Sequence, residues 1–212
     1  GMLLVCSWPM PAAVAERYSR FSDTLRAALP PGAYVMPQHS LHCTVCTLRV
    51  FSGGPLREQA RESLRAAWSP VLDAARASDR WPSGPFRLRM RRPTFEGSAA
   101  IFRYDDCDGA VAGMREALVE AMRAAGASPV VGGGDRARAR PIPLPPGLPG
   151  SEDGCGPHVP DIVHSTVLRW AAEPADRLEA SRAFGGAAAS WGDPVDVHVG
   201  GAAAVFEDTP FM

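Results

Sequence analysis

The chain contains 212 residues, of which 46% are hydrophobic and 21% charged, and its formal net charge is −1. These values are typical of a globular protein with a substantial core, and the near-neutral charge argues against broad electrostatic binding of duplex nucleic acid. No apolar run approaches the roughly 18 residues of a transmembrane helix. The apolar start lacks the basic region of a signal peptide. The 5 cysteines, an odd number, favour reduced thiols and a cytoplasmic location.

Strand-like and helix-like patterns alternate along both halves of the chain. Apolar residues three and four positions apart predict helices, and short β-branched or alternating runs predict strands. In chain order we predict a strand (3–7), a helix (14–29), a strand (41–50), a helix (56–72), a hairpin (86–90 with 99–104), a helix (111–122), a strand (161–170), a helix from about 174, and strands at 195–199 and 202–206. Pro70 should kink or split the second helix, and Asp108 should cap the third.

Glycine and proline are concentrated in one segment, residues 126–160, which holds 8 of the 21 glycines and 8 of the 21 prolines. Loops much longer than about 12–15 residues are usually functional lids or disordered segments. This segment is therefore predicted to be a long insertion between two ordered halves. Its arginines at 136, 138 and 140 are a candidate guide for an RNA backbone, with a solvated loop as the alternative.

One short element occurs twice, as HCTV at 42–45 and HSTV at 164–167. In a strand, residues i and i+2 project from the same face, so His42 projects with Thr44 and His164 with Thr166. An imidazole can take or give a proton near neutral pH, and a hydroxyl can donate to a phosphoryl oxygen. Two such strands facing each other across a groove would suit in-line displacement at phosphorus without a metal.

These elements resemble the signature of the two-histidine (2H) phosphoesterase superfamily, which includes 2′-5′ RNA ligase-like proteins and cyclic phosphodiesterases. The segment PQHSLHCT at 37–44 is similar to the family's Leu-His-x-Thr pattern, and HSTVLR at 164–169 is similar to His-x-Thr-Leu-x-Arg. The order of elements before each motif also fits across most of the chain. The separation of 122 residues between the histidines is longer than in compact members, and the insertion at 126–160 accounts for it.

The resemblance implies one domain over residues 1–212 with a bilobal, pseudo-two-fold α+β fold, in which two antiparallel sheets with outer helices enclose a central groove. It implies hydrolysis, or reversible ligation, of a 2′,3′-cyclic phosphate or 2′-5′ phosphodiester in a nucleotide or RNA terminus, with no metal and no cofactor. In this family's chemistry His42 and His164 would be catalytic, while Thr44 and Thr166 would bind the phosphate. We expect His42 to be the acid and His164 the base, although pseudo-symmetry leaves that order open.

Three further residues are candidates for substrate binding. Arg169 matches the arginine of the family pattern, but regular strand parity places it on the face opposite His164, so support of the strand is an alternative role. Tyr34 and Trp170 are candidates for stacking on a base, with core packing as the alternative. Arginines at 87, 89, 91 and 92 could line a groove wall or face solvent.

The sequence leaves other interpretations open. Taken singly, each motif is more simply a buried strand histidine satisfied by a hydroxyl. Cys43 and Cys46 beside His42 suggest zinc, but residues three apart on a regular strand face opposite ways. His39, His158 and His198 lack the threonine partner and are expected at surface or loop positions. The alternative function is a non-catalytic RNA- or nucleotide-binding protein that uses the same groove. We expect neither membrane association nor an obligate protein partner.

Overall fold

The computed structural model describes residues 1–51, 55–96, 99–133, 156–170, 174 and 176–208. The predicted RNA-guiding arginines at 136, 138 and 140 lie outside these residues. The strands are β1 (Met2–Cys6), β2 (Ala33–Val35), β3 (Cys43–Arg49), β4 (Phe86–Met90), β5 (Thr94–Glu96), β6 (Ala99–Asp106), β7 (Val130–Val131), β8 (His158–Val159), β9 (His164–Trp170), β10 (Val195–Val199) and β11 (Ala202–Phe206). The helices are α1 (Ala12–Ala28), α2 (Glu58–Arg76), α3 (Ala110–Ala124) and α4 (Arg177–Ala189).

The first sheet has the strand order β11-β1-β3-β8-β7, with β3 at its centre. Its pairs are antiparallel except for β7 and β8, which run parallel. A parallel pair requires a long connection, and the segment between these two strands supplies one. The two ends of the predicted insertion at 126–160 therefore extend the first sheet, and the expectation of entirely antiparallel sheets was wrong at this edge.

The second sheet has the order β10-β4-β6-β9-β2, and β5 pairs with β6 beside this path. All of its pairs are antiparallel. The predicted hairpin is confirmed by β4 and β6, in which Leu88 pairs with Asp106 and Met90 with Tyr104. Each motif strand thus lies inside a different sheet, which confirms the predicted α+β class with two sheets.

The helices pack in pairs, α1 with α4 and α2 with α3. From α1, Tyr18 and Phe21 contact Phe102 of the second sheet, with ring centroids 6.1 and 5.8 Å apart. Trp191, just after α4, closes this cluster at 4.5 Å from Phe102. Helix α3 packs against β3 of the first sheet and also against β6 of the second. Of the helices that the structure describes, none is long and apolar enough to cross a membrane.

Two local expectations about helices concern Pro70 and Asp108, and the expectation for Asp108 was wrong. Pro70 lies within α2 without splitting it, because its face of the helix is exposed and water can satisfy the carbonyl that loses its partner. The N-terminus of α3 is capped by Asp106 rather than by Asp108, since the Asp106 carboxylate accepts from the Ala112 N–H at 2.9 Å. Asp108 instead accepts from the Arg87 N–H.

Candidate active site

A cavity of about 640 Å³ lies where the two sheets meet. The first sheet contributes Thr44 from β3, and the second sheet contributes Thr166 from β9. His42, immediately before β3, and His164, the first residue of β9, line the same cavity. The structure therefore brings together all four residues of the two motifs, which are far apart in the sequence. The volume falls within the range of about 300–1,000 Å³ that ligand pockets usually have.

Both histidine rings are oriented by a backbone carbonyl two residues earlier. The His42 Nδ1 lies 2.8 Å from the carbonyl oxygen of Ser40, and the Ile162 carbonyl is the backbone hydrogen-bond partner that raises the pKa of His164. Because a carbonyl can only accept, the ring nitrogen that meets it carries the proton. The other nitrogen of each neutral ring is left as an acceptor for a ligand.

Burial lowers the pKa of both imidazoles, since the charged ring is poorly solvated in the half-buried cavity. For each ring, the hydrogen bond to its backbone carbonyl, Ser40 for His42 and Ile162 for His164, works in the opposite direction. For His164, the positive charges of Arg115 and Arg169 lower the pKa further, and so does charge on His42. The surroundings thus favour the neutral form of both rings and place more positive charge around His164.

Each motif strand contains a β-bulge directly after its threonine. In β3, Thr44 pairs with Val5 and Cys46 with Leu4, so Val45 is an extra residue. In β9, Thr166 pairs with Ile101 and Leu168 with Ala100, which leaves one extra residue at the matching position. One extra residue moves every later side chain of the strand to the face opposite the one that regular alternation would give it. The residue five positions after each histidine therefore turns toward the cavity.

Arg169 is one of these two residues, and the bulge corrects the expectation that it faces away from His164. It lines the cavity with His164 and Thr166. The equivalent residue on β3 is Thr47, which also lines the cavity and was not predicted. A sequence signal for the bulges exists, because two adjacent apolar residues follow each threonine and interrupt the period of two.

Glu207, which follows β11, lies on the first-sheet side of the cavity, opposite Arg169. Its charge and that of Arg169 each shift the pKa of the other group. Burial is the largest influence on Glu207 and raises its pKa, although the amino terminus and Arg169 both oppose this rise. The far part of the cavity thus carries a carboxylate facing a guanidinium, and Phe51 lines the wall nearby.

Neither predicted aromatic residue lines the cavity. Tyr34 is 53% exposed on the edge strand β2, where it pairs with Arg169. Because paired residues project from the same face, the Tyr34 ring lies on the side of the sheet that carries Arg169. Trp170 is half-buried, and its ring packs against Phe95 with centroids 6.5 Å apart. Trp170 therefore has the core-packing role that was the alternative to stacking on a base.

The other histidines and the cysteine pair differ in part from expectation. His158 was expected on the surface or in a loop, but it lies in β8 and lines the cavity, with its Nε2 2.9 Å from the Gly132 carbonyl. Cys43 and Cys46 both face the interior, because the bulge between them interrupts the alternation that would place them on opposite faces of the strand. Within the described parts of the chain, no group of three or more His, Cys, Asp or Glu residues is arranged to hold a metal.

Ser165, the residue between His164 and Thr166, was not predicted to have a role. Its hydroxyl is buried and donates to the carbonyl oxygen of His42 at 2.7 Å. The Tyr104 hydroxyl lies 3.1 Å from the same Ser165 oxygen, and the Cys43 thiol lies 3.5 Å from it. No sequence pattern distinguishes this serine, because its partners come from other strands.

Comparison with known proteins found similarity among solved structures. No protein-family model matches the chain, and no curated protein matches it. The chain is similar to the crystal structure of TT0787 of Thermus thermophilus, with a TM-score of 0.48 and 19% identity over 97% of this chain and 87% of the other. It is also similar to the MHV ns2 PDE domain, with a TM-score of 0.47 and 10% identity over 96% of this chain and 98% of the other.

Proposed function

We propose that this protein is a metal-independent two-histidine phosphoesterase. Its substrate would be a 2′,3′-cyclic phosphate or a 2′-5′ phosphodiester of a nucleotide or RNA terminus, which it hydrolyses or reversibly ligates. The observation that carries this proposal is that His42 and His164 line one cavity together with Thr44 and Thr166. Each ring also has one nitrogen bound to a carbonyl and the other left for the substrate.

In the proposed hydrolysis, the phosphoryl group lies between the two imidazoles. His164 accepts a proton from water, whose oxygen forms a bond to phosphorus as the bond to the ribose oxygen breaks in line with it. His42, protonated, donates its proton to the departing ribose oxygen. The hydroxyls of Thr44 and Thr166 donate to the non-bridging oxygens and stabilise the charge that develops there. Exchange of one proton through solvent restores both rings.

The charges around the two rings favour this order of acid and base. Arg115 and Arg169 lower the pKa of His164, which keeps it neutral and able to accept a proton. Among the described residues, no arginine contributes to the pKa shift of His42. The negative charge of a phosphodiester bound between the rings raises the pKa of both imidazoles, and this rise is opposed by arginine charge at His164. His42 is therefore better suited to be the acid.

Two further residues fit the rest of a nucleotide. We assign Arg169 to a non-bridging oxygen or a neighbouring phosphate, because its position beyond the bulge places it in the cavity. We assign Tyr34 to stacking on a base, since its exposed ring shares a sheet face with Arg169. We also propose a cytoplasmic location, which agrees with the free thiols of Cys6, Cys43, Cys46 and Cys107.

The direct test is turnover of 2′,3′-cyclic nucleotides in the presence and absence of EDTA. We expect hydrolysis that survives EDTA and is lost in both His42→Ala and His164→Ala. His198→Ala is the matched control, because His198 is exposed on β10 away from the cavity lining. Dependence on an added metal would contradict the proposal. Binding of nucleotides without turnover by the wild type would favour the alternative, a non-catalytic binding protein.

A further inference from the structure

Arg115, on α3, is only 9% exposed and lies between the two motif segments. Its Nε donates to the Val45 carbonyl at 3.2 Å. Its Nη2 donates to the Thr44 carbonyl at 3.1 Å and to the Ile162 carbonyl at 2.8 Å. One guanidinium therefore joins the backbone of the first motif to the backbone two residues before His164.

The bulge in β3 explains how two consecutive carbonyls can meet one side chain. In a regular strand, successive carbonyls point in opposite directions. The extra residue at Val45 breaks this alternation, and the carbonyls of Thr44 and Val45 both face Arg115. Arg115 thus satisfies the backbone at the bulge that turns Thr47 into the cavity.

The third bond reaches the second motif through a shared acceptor. The Ile162 carbonyl accepts from Arg115 Nη2 at 2.8 Å, and it is also the backbone hydrogen-bond partner that raises the pKa of His164. Any displacement of this carbonyl moves the group that sets the orientation and tautomer of His164. Arg115 therefore reaches the proposed base through one shared carbonyl, although it does not itself line the cavity.

The cost of burying Arg115 indicates that it has more than a packing role. A buried cation is unfavourable unless it is paired or fully hydrogen-bonded. In the part of the chain that the structure describes, Arg115 makes no ion pair with a carboxylate and is held by the three carbonyls. A methionine of similar length could fill the same space without this cost.

We propose that Arg115 is a positioning residue of the two-histidine site, which sets the separation of the two motifs and the orientation of His164 by bridging Thr44, Val45 and Ile162. This inference rests on the proposed function for the role of the two histidines. The Arg115 charge has a second effect, because together with Arg169 and His42 it faces His164 and keeps that ring neutral.

The test compares Arg115→Lys, which keeps the charge but loses the planar fork, with Arg115→Met, which loses both. Arg123→Met is the matched control, because Arg123 is an exposed arginine on the same helix. We expect kcat to fall about tenfold to a hundredfold in both Arg115 variants, since small misplacements of reacting groups have effects of this size. KM should change by less than about threefold, because Arg115 does not touch the substrate.

An NMR titration of the two imidazoles separates positioning from a merely structural role and does not require turnover. We expect the His164 pKa to rise relative to the His42 pKa in Arg115→Met, and to rise less in Arg115→Lys. Wild-type kcat in folded Arg115→Lys and Arg115→Met, or equal movement of both histidine pKa values in Arg115→Met, would overturn the proposal. If the wild type shows no turnover, the proposed function fails, and the titration alone decides whether Arg115 acts on His164.

Discussion

The hydroxyl of Ser165 donates a 2.7 Å hydrogen bond to the carbonyl oxygen of His42. Ser165 belongs to the second motif and His42 to the first, so the backbone of one motif is held by a side chain of the other. The same hydroxyl lies 3.1 Å from the Tyr104 hydroxyl in the neighbouring strand β6. The two sheets are therefore joined by hydrogen bonds directly beneath the proposed catalytic residues.

Ser165→Ala should lower both stability and activity. The substitution leaves the His42 carbonyl and the Tyr104 hydroxyl without this partner, at a cost of about 1–3 kcal/mol for a buried polar group. We expect the free energy of unfolding in urea to fall by that amount, and kcat to fall with it. Ser19→Ala, at an exposed position on α1, is the control and should stay within about 0.5 kcal/mol of wild type. Equal stabilities for the two variants would contradict the structural role of Ser165.

The hydroxyls of Thr44 and Thr166 should contribute to rate through donation rather than shape. Thr166→Val keeps the size of the side chain but cannot donate, so we expect kcat to fall about 10²-fold, as when a donor to a developing oxyanion is removed. Thr166→Ser keeps the donor and should retain most of the rate. Steady-state kinetics on a 2′,3′-cyclic nucleotide measures both. A serine variant as impaired as the valine variant would show that the methyl group, not the hydroxyl, matters.

Stability should decrease as the pH falls below the ordinary pKa of histidine. Burial lowers the pKa of His42 and His164 in the folded protein, so below about pH 6.5 the unfolded chain binds more protons than the folded one. The stability from these neutral rings is present above that pH and is lost as the pH falls toward the folded pKa values.

Urea unfolding at pH 7 and pH 5 measures this loss. In the variant with both His42→Gln and His164→Gln, the decrease between the two pH values should be smaller than in wild type. His198→Gln, at an exposed site, should keep the wild-type difference. A double variant with an undiminished decrease would show that these two histidines do not carry the pH dependence.

Glu207→Gln should strengthen the binding of phosphate. Glu207 lies opposite Arg169 in the cavity, where its negative charge opposes an anionic ligand and competes for the guanidinium. Removal of a repulsion of about 1 kcal/mol, which is the energy of two unit charges about 4 Å apart in water, raises affinity about fivefold. Calorimetric titration with a nucleoside 3′-monophosphate measures the change, with the exposed Glu62→Gln as control. Weaker binding in Glu207→Gln would instead assign Glu207 to contacts with the substrate.

Much of the fold follows from local patterns in the sequence. The strands around both motifs, the hairpin of β4 and β6 and the helical faces all have the spacing that elementary geometry requires. The repeated His-x-Thr element also predicts its own side-chain directions, because His and Thr are two positions apart and no bulge lies between them. Beyond the threonine, the bulge interrupts the alternation of side chains between the two faces of the strand. The expectations for Arg169 and for the cysteine pair assumed that this alternation continued, and they were therefore wrong.

What the sequence by itself determined is the pairing of an imidazole with a hydroxyl on each of two strands, since that depends only on the period of a β-strand. Only the tertiary structure decided that Arg169 and Thr47 face the cavity, that His158 joins them, and that Arg115 and Ser165 connect the motifs. Bulges and buried bridging side chains depend on which strands become neighbours. Those partners are distant in the chain, so no local pattern specifies them.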